Sequence, residues 1–196
     1  MRISLIKLAQ QSIQEVLLPG DCAIDATMGN GHDTLFLTRI VGDQGKVFAF
    51  DIQSSALELT RARLKKDRLS VPVSLNLCSH GELLRCIPNT YIGKIKAIMF
   101  NLGYLPGSDK SIQTNPQETV KALSAALILL STSGCISIVV YTGHPGGLEE
   151  AKAVKNWLKN VPEEKFRWKI TIPSGQCNPP ELIVISPGSK HKTKSQ

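Results

Sequence analysis

The fold of this chain is decided by residues 25–34, which read Asp25-Ala-Thr-Met-Gly-Asn-Gly-His-Asp-Thr34. An apolar run over residues 22–27 leads into this segment, and a helical pattern follows it to about Val41. Glycines between a strand and a helix let the backbone approach a ligand closely, and the helix N-terminus offers free N–H groups. The segment therefore predicts a ligand-binding loop at the end of the first strand of a parallel sheet.

Strand-like and helix-like patterns alternate along the rest of the chain, which predicts an α/β domain with a mostly parallel sheet. We predict strands over residues 22–27, 46–51, 72–77, 95–100, 135–141, 166–172 and 181–185. Helices are predicted over residues 3–18, 54–66, 81–86 and 117–131. Two more are predicted, one from the glycine loop to about residue 41 and one from the segment 142–147 to residue 158. The connection from Pro173 to Pro180 is too short for a crossover helix, so the last two strands are expected to pair antiparallel. We expect one domain over residues 1–187, with its N-terminal helix within 1–18, and a basic, disordered tail over 188–196.

Composition narrows the class of protein. The apolar content of 42% is ordinary for a globular protein, and no apolar run approaches the roughly 20 residues of a membrane span. The N-terminus does not resemble a signal peptide, so we expect a cytoplasmic location, or an organellar stroma if a transit peptide has been removed. The five cysteines are far apart and form no C-x-x-C pair, which predicts reduced core thiols and no metal site.

The net charge of +7 favours a polyanionic partner such as RNA. Basic residues concentrate between Arg61 and Arg68 and in the tail after Gly188. A solvated helix face and a disordered tail would give the same pattern, so charge alone leaves both interpretations open. No feature indicates a membrane partner, and the sequence is compatible with a monomer or a homodimer.

Two kinds of cofactor fit the glycine loop. Asp51 ends the second strand 20 residues beyond Gly31, where a carboxylate can bind both hydroxyls of an adenosine ribose. A dinucleotide fingerprint needs glycine at the position of Thr34, and the acidic Asp25 and Asp33 are unfavourable beside a pyrophosphate. Acidic groups suit a cofactor with an amino group and a sulfonium cation. We therefore favour S-adenosylmethionine, with a dinucleotide or a loop without a cofactor as alternatives.

The carboxyl ends of parallel strands meet at one edge of a sheet, where ligands bind. We predict cofactor-binding residues at the first three strand ends: Asp25, Gly29, Asn30, Gly31, His32, Asp33, Asp51, Gln53, Ser79 and His80. Ser79 and His80 are placed to meet the adenine edge, although His80 also fits a helix-capping segment. Gln53 is placed to reach the ribose or the base.

Residues Asn101-Leu-Gly-Tyr104 have the spacing of the N-P-P-Y element of amino-group methyltransferases, in which Asn holds the target nitrogen and an aromatic ring packs beside it. The alternative is an asparagine that supports a turn. Methyl transfer needs alignment, and an aliphatic amine must lose a proton before it attacks. We predict Asn101, Tyr104 and His144 as catalytic residues, the last two as candidate proton acceptors. Substrate-binding residues are predicted at Asp109, Lys110, Tyr141 and Asn178, and a solvated loop is the alternative for the first two.

With these motifs in place, the chain resembles a methyltransferase family labelled rRNA methylase, whose members include enzymes that methylate the aminomethyl group of the tRNA wobble uridine. The matching segments are 25–34, 50–53, 79–80, 100–107 with 109–110, 141–144 and 178–180. The resemblance implies a Rossmann-like class I methyltransferase fold, with helices on both faces of a seven-stranded sheet of order 3-2-1-4-5-7-6. It also implies that Asn30, Asp51, Gln53, Ser79 and His80 contact S-adenosylmethionine.

The same resemblance implies methylation of 5-aminomethyl-2-thiouridine in the anticodon stem-loop of tRNA. The alternatives are ribosomal RNA, a small amine, or a binding module without catalysis. Two positions depart from the family: Gln10 stands where a histidine is frequent, and Gly81 where a glutamate is frequent. The first departure affects a substrate contact from the N-terminal helix, and the second affects a carboxylate after the third strand.

Overall fold

The computed structural model of the protein describes residues 4–67, 72–105, 107, 109, 111–175 and 177–188. Its helices are α1 (Leu5–Gln14), α2 (His32–Val41), α3 (Ser54–Lys66), α4 (Leu83–Cys86), α5 (Pro116–Leu129) and α6 (Gly147–Leu158). Its strands are β1 (Cys22–Asp25), β2 (Lys46–Asp51), β3 (Val73–Leu77), β4 (Ile95–Leu102), β5 (Leu130–Val140), β6 (Phe166–Thr171) and β7 (Glu181–Pro187).

The strands form one sheet of order β3-β2-β1-β4-β5-β7-β6. The first five strands in this order, β3, β2, β1, β4 and β5, pair in parallel with their neighbours. Strand β7 is antiparallel to both β5 and β6. The predicted fold class, strand order and antiparallel final pair are therefore confirmed. This order places β1 and β4 side by side at the centre of the sheet, where the crossover direction reverses and a crevice opens at the strand ends.

Helices cover both faces of the sheet because side chains alternate along each strand. Ile24 and Ile98 lie in the apolar cluster that includes side chains of α5 and α6. Ala23 and Met99, each one residue along, lie in the opposite cluster with side chains of α1 and α2. The sheet is thereby held as a rigid platform whose strand ends keep fixed positions.

Several element boundaries differ from the predictions, and the largest differences are at the junction of α5 and β5 and at the end of α1. Helix α5 ends at Leu129 and β5 begins at Leu130, so the predicted helix to residue 131 and the predicted strand start at 135 are both wrong. Leu130 pairs with Ile95, and the register shifts before Cys135 pairs with Ala97. The apolar side chain of Leu130 is buried by the strand rather than by the helix, and periodicity alone does not distinguish these cases. Helix α1 ends at Gln14 rather than at 18.

The cysteines are free thiols. Cys135 is buried and Cys22, Cys78 and Cys86 are half-buried, but Cys177 is exposed, so the prediction of core thiols is wrong for Cys177. Within the described ranges, no helix has the length and apolar character needed to cross a membrane, and no group of three metal-binding side chains is found. Residues 189–196 of the predicted tail lie outside the described residues.

Candidate active site

The carboxyl ends of β1 to β5 open into one cavity with a volume of about 1030 Å³. Ligand pockets commonly measure roughly 300–1,000 Å³, so this cavity has room for a cofactor together with part of a second substrate. Most of the predicted site residues line it: Gly29, Asn30, His32, Asp33, Asp51, Gln53, Ser79, His80, Asn101, Tyr104, Tyr141, His144 and Asn178. The structure thus brings residues from five separate strand ends to one site.

Three predicted site residues do not line the cavity. Asp25 is fully buried beneath the glycine loop. Gly31 packs against α3, where a Cβ on a backbone of φ +75° would lie 2.9 Å from Thr60 Cα, so this position requires glycine. Asp109 is exposed and accepts a hydrogen bond from the Ser111 N–H at 2.8 Å. Lys110 lies outside the described residues.

The glycine loop and Asp51 form a preorganised unit at the ends of β1 and β2. Asp51 Oδ2 accepts a hydrogen bond from the Gly29 N–H at 3.0 Å, and its Oδ1 accepts one from the Gln53 N–H at 2.9 Å. Each carboxylate oxygen has a second lone pair, so both can still accept a hydroxyl. Arg63 fixes the loop from α3 by donating to the Asn30 carbonyl at 2.7 Å. This arrangement fits the ribose of the predicted cofactor.

Asp25 supports the loop from below. Its carboxyl group accepts hydrogen bonds from the Thr34 hydroxyl at 2.6 Å and from the Thr27 N–H at 3.2 Å. Burial, together with the negative charge of Asp33, raises the pKa of Asp25 to about 7. Asp25 is therefore a structural element of the loop.

The raised pKa of Asp25 predicts a pH-dependent stability. An unfolded aspartate has a pKa near 4, so between about pH 4 and 7 the unfolded chain binds fewer protons at this site than the folded one, and stability falls as pH rises. We therefore compare the free energy of unfolding of Asp25→Asn with that of wild type. The variant's value minus the wild-type value is expected to rise by up to about 4 kcal/mol between pH 4 and pH 8. Urea unfolding of both proteins across this range measures the difference.

Asp67→Asn is the matched control, because Asp67 is paired with the exposed Arg39 and its pKa is lowered. Its stability difference from wild type should change little between pH 4 and 8. A pH-independent difference for Asp25→Asn would contradict the assignment of a raised pKa to this carboxyl group.

Asn101, at the end of β4, is held by two contacts. Its N–H donates to the Thr27 hydroxyl at 2.7 Å, and its side-chain Nδ2 donates to Asp33 Oδ2 at 2.6 Å. The other oxygen of Asp33 accepts Gln10 Nε2 at 2.9 Å. Because a carboxylate only accepts, both amides must turn their nitrogens to Asp33. The Asn101 Oδ1 and Gln10 Oε1 atoms then receive no donor from the described part of the chain, and both residues line the cavity.

The segment after Asn101 is fixed by a buried carboxylate. Gly103 and Thr114 exchange two hydrogen bonds of 2.8 Å, from the Gly103 N–H to the Thr114 hydroxyl and from the Thr114 N–H to the Gly103 carbonyl. The Thr114 hydroxyl donates in turn to Glu150 on α6 at 2.7 Å, and the second oxygen of Glu150 accepts from Thr119 at 2.6 Å. Glu150 thus positions the loop that carries Tyr104.

The aromatic side of the cavity consists of Tyr104, Tyr141 and His144. The rings of Tyr104 and His144 meet edge to face with centroids 5.6 Å apart. His144 Nδ1 lies 2.9 Å from the Pro145 carbonyl, so Nδ1 carries the proton and Nε2 holds a lone pair when the ring is neutral. Nε2 is enclosed and receives no hydrogen bond within the described ranges. Burial and the charge of Asp33 raise the pKa of Tyr141, which therefore remains a donor at neutral pH.

The loop before β7 covers the end of β5. The buried Thr142 hydroxyl lies 2.8 Å from the carbonyl oxygens of both Asn178 and Pro179. Asn178 takes a left-handed backbone conformation with φ +47°. Asn178 and Pro180 consequently reach the cavity wall.

His80 lies at the end of β3 and is buried. Burial lowers the pKa of His80 to about 4, so the ring is neutral at physiological pH. The ring is hydrogen-bonded to the Ala26 backbone and packs edge to face against Phe100, with centroids 6.1 Å apart. These contacts favour a structural role in the cavity wall beside any ligand contact.

Sequence patterns missed Gln10, Thr114 and Glu118 as members of the site. In the sequence Gln10 stands out only as a departure from a histidine, and Thr114 lies in a polar segment before the predicted helix over 117–131. Glu118 belongs to the pattern Asn115-x-x-Glu118, which is typical of a helix N-terminus and carries no indication of a ligand site. The residue spacing alone carries no signal that α1 and α5 reach the same cavity.

Comparison with known proteins identifies the family. A sequence model of the family described as "Putative rRNA methylase" matches residues 47–186. The chain belongs to this family. A curated relative in Arabidopsis thaliana, tRNA (mnm(5)s(2)U34)-methyltransferase, chloroplastic, is 41% identical over 159 residues, which cover 76% of this chain and 57% of the relative. The chain thus spans little more than half of that plant protein.

Two solved structures of bacterial relatives have the same architecture over nearly the whole chain. A Clostridium thermocellum protein of the same description has a TM-score of 0.89 and 40% identity, covering 95% of this chain and 100% of its own. The protein SMU.1697c of Streptococcus mutans has a TM-score of 0.84 and 35% identity, covering 95% and 99%, and was solved in complex with SAH. SAH is S-adenosylmethionine without its methyl group, which agrees with the cofactor predicted for the glycine loop. The predictions of family and fold are confirmed.

Proposed function

We propose that this member of the rRNA methylase family is an S-adenosylmethionine-dependent N-methyltransferase that converts 5-aminomethyl-2-thiouridine to 5-methylaminomethyl-2-thiouridine at the tRNA wobble position. The observation that carries the proposal is that Gln10 and Asn101 both line the cavity and both donate their amide nitrogens to Asp33, which leaves their amide oxygens to accept from a ligand. The plant relative's name supports the choice of substrate. The residue contacts support amine chemistry independently of that name.

The geometry suits a primary amine as the methyl acceptor. When bound, S-adenosylmethionine would supply an electrophilic methyl group to the lone pair of a neutral amine and would leave as S-adenosylhomocysteine. A neutral primary amine has two N–H bonds, and Asn101 Oδ1 and Gln10 Oε1 are two acceptors for them. With both hydrogens held, the lone pair is left to align with the methyl group, and alignment is the main requirement of an in-line transfer.

The aromatic residues complete the target side of the site. The Tyr104 ring, held edge to face by His144, packs beside the amine. We assign His144 the positioning of Tyr104, because its free Nε2 is enclosed between Gly103 and Gly147 rather than open to the cavity. Tyr141 is 36% exposed at the rim and offers a flat face on which an unpaired uridine can stack.

Helix α3 provides cations beside the cofactor loop. Arg63 ties α3 to the loop, while Arg61, Lys65 and Lys66 of the same helix are exposed. Exposed lysine and arginine side chains bind RNA mainly through its phosphates and make the affinity dependent on salt. We assign this surface to the backbone of the anticodon stem-loop.

The proposal is tested by incubating the protein with labelled S-adenosylmethionine and tRNA that carries 5-aminomethyl-2-thiouridine. We expect mass spectrometry of the nucleosides to show 5-methylaminomethyl-2-thiouridine. The same tRNA without the aminomethyl group is the control and should remain unlabelled. If the protein binds S-adenosylhomocysteine but gives no product, the wobble uridine is not its substrate, and ribosomal RNA and small amines are then assayed.

A further inference from the structure

Glu118 places a carboxylate in the cavity that the sequence did not predict. It is the third residue of α5, and its N–H donates to the capping side chain of Asn115 at 3.1 Å. A glutamate at this position of a capping box turns back to the N-cap N–H. In this structure the carboxylate turns to the end of β3 instead, where Oε2 accepts the Ser79 hydroxyl at 2.5 Å. Glu118 thereby lines the cavity beside Ser79.

Gly81 makes room for this carboxylate. A Cβ atom at residue 81 would overlap Glu118 Oε2, so the carboxylate occupies the space in which a side chain at 81 would begin. The Gly81 N–H donates to the Ser79 hydroxyl at 3.0 Å, and that hydroxyl donates to Glu118. Ser79, Gly81 and Glu118 therefore form one hydrogen-bonded unit that fixes the carboxylate.

The carboxylate of Glu118 has unused capacity to accept hydrogen bonds. Ser79 is the donor to its Oε2, and Oε1 receives none from the residues that the structure describes. The nearby Lys121 is bonded to Glu82 instead, and His80 is neutral. A half-buried carboxylate with an open oxygen in a ligand cavity fits a ligand that donates an N–H or O–H group.

The sheet order indicates which part of the cofactor lies there. The methyl group must reach Asn101 at the end of β4, and the ribose fits Asp51 at the end of β2. The end of β3 lies on the far side of β2 from β1 and β4. A cofactor that extends along these strand ends therefore brings its base to the end of β3, beside Ser79 and Glu118.

We infer that Glu118 accepts a hydrogen bond from the exocyclic amine of the cofactor's adenine and selects adenine against a base with a carbonyl at that position. The inference rests on the S-adenosylmethionine of the proposed function, and it does not depend on the RNA substrate. A hydrogen bond to a charged acceptor is among the stronger ones in proteins. A carbonyl oxygen in place of the amine would face the carboxylate without a proton between them, which adds discrimination to the lost bond.

The test compares two nucleosides by calorimetry in the absence of RNA. S-adenosylhomocysteine carries the exocyclic amine, and S-inosylhomocysteine carries a carbonyl in its place. Wild-type protein is expected to prefer the adenosyl compound by roughly 100-fold or more, as sites built around a hydrogen bond do. Glu118→Gln should weaken binding of the adenosyl compound about 10-fold or more, and leave the inosyl compound unchanged or tighter, because the glutamine amide can donate to a carbonyl.

Glu82→Gln is the matched control. Glu82 directly follows Gly81 in the chain, but it pairs with Arg85 and Lys121 and does not line the cavity. Both dissociation constants should match those of wild type. Equal weakening of both nucleosides in Glu118→Gln, or an unchanged affinity for the adenosyl compound, would overturn the inference and leave Glu118 a support of the loop.

Gly81→Ala gives an independent test in a protein that keeps Glu118. The added methyl group displaces the carboxylate, so the preference for the adenosyl compound should fall, and retention of the full preference would count against the inference. The two proposals fail separately. Methylation of another RNA would leave the nucleoside preference intact, and loss of the preference would leave the RNA assignment intact. A wild-type protein that binds neither nucleoside would overturn both.

Discussion

Asp51→Ala is expected to weaken S-adenosylhomocysteine binding by about 10²- to 10⁴-fold. This range corresponds to two hydrogen bonds from ribose hydroxyls to a charged acceptor, at about 1.5–3 kcal/mol each. The variant also removes the acceptor for the Gly29 and Gln53 N–H groups, which loosens the loop that faces the rest of the cofactor. Calorimetric titration of wild type and variant gives the ratio of dissociation constants.

Two further variants separate the ribose contact from the support of the loop. Asp51→Asn keeps the shape and one acceptor oxygen, and should retain more affinity than the alanine variant. Glu149→Ala removes an exposed carboxylate of α6 outside the cavity and should bind as wild type does. If Asp51→Ala bound the nucleoside with wild-type affinity, the ribose would lie elsewhere and the assignment of the β2 end would be wrong.

The bounds of two elements follow from the sequence alone. Strand β2 and helix α3 have the predicted bounds, because each has a single pattern and is closed by a change of residue type at both ends. The junction of α5 and β5 does not, since its apolar residues fit both a helix and a strand and tertiary pairing with Ile95 decides between them. Local periodicity therefore predicts elements well where neighbouring segments differ in period.

The site residues at strand ends could be predicted from the sequence, whereas those on helices could not. Asp51, Ser79 and Asn101 were predicted because the ends of parallel strands must share one edge of the sheet. Gln10 and Glu118 come from helices whose distance from that edge depends on packing, and Asn115-x-x-Glu118 has an ordinary local explanation as a cap. Asp25 lies on the predicted edge but points beneath the loop, which the alternation of a four-residue strand did not reveal.

Contacts in the structure explain the two departures from the family pattern, Gln10 and Gly81. Gln10 donates to Asp33, as Asn101 does, and both residues line the cavity. Gly81 leaves space for the carboxylate of Glu118. In each case a residue that is distant in sequence, Asp33 or Glu118, supplies the contact, so neither departure removes a polar group from the site.

Asn101→Ala is expected to lower kcat by about 10²-fold or more, with S-adenosylhomocysteine affinity unchanged. The substitution removes an acceptor for the amine, and a misplaced nucleophile loses the alignment on which methyl transfer depends. The substitution also removes one of the two amide donors to Asp33. The carboxylate that holds Gln10 is then fixed less firmly, and so is Gln10 Oε1, the remaining acceptor for the amine. Single-turnover methylation of aminomethyl-thiouridine tRNA gives the rate, and calorimetry gives the cofactor affinity.

Variants at neighbouring positions distinguish alignment from general damage to the site. Gln10→Ala keeps the bond between Asn101 and Asp33 and should therefore cost less in kcat than Asn101→Ala. Asn156→Ala removes an exposed asparagine of α6 and should leave both measurements at wild-type values. A fall in cofactor affinity that matches the fall in rate would instead place Asn101 in cofactor binding. An unchanged rate would show that the amine is aligned by other groups, because Asn101 Oδ1 is one of the two acceptors in the proposed geometry.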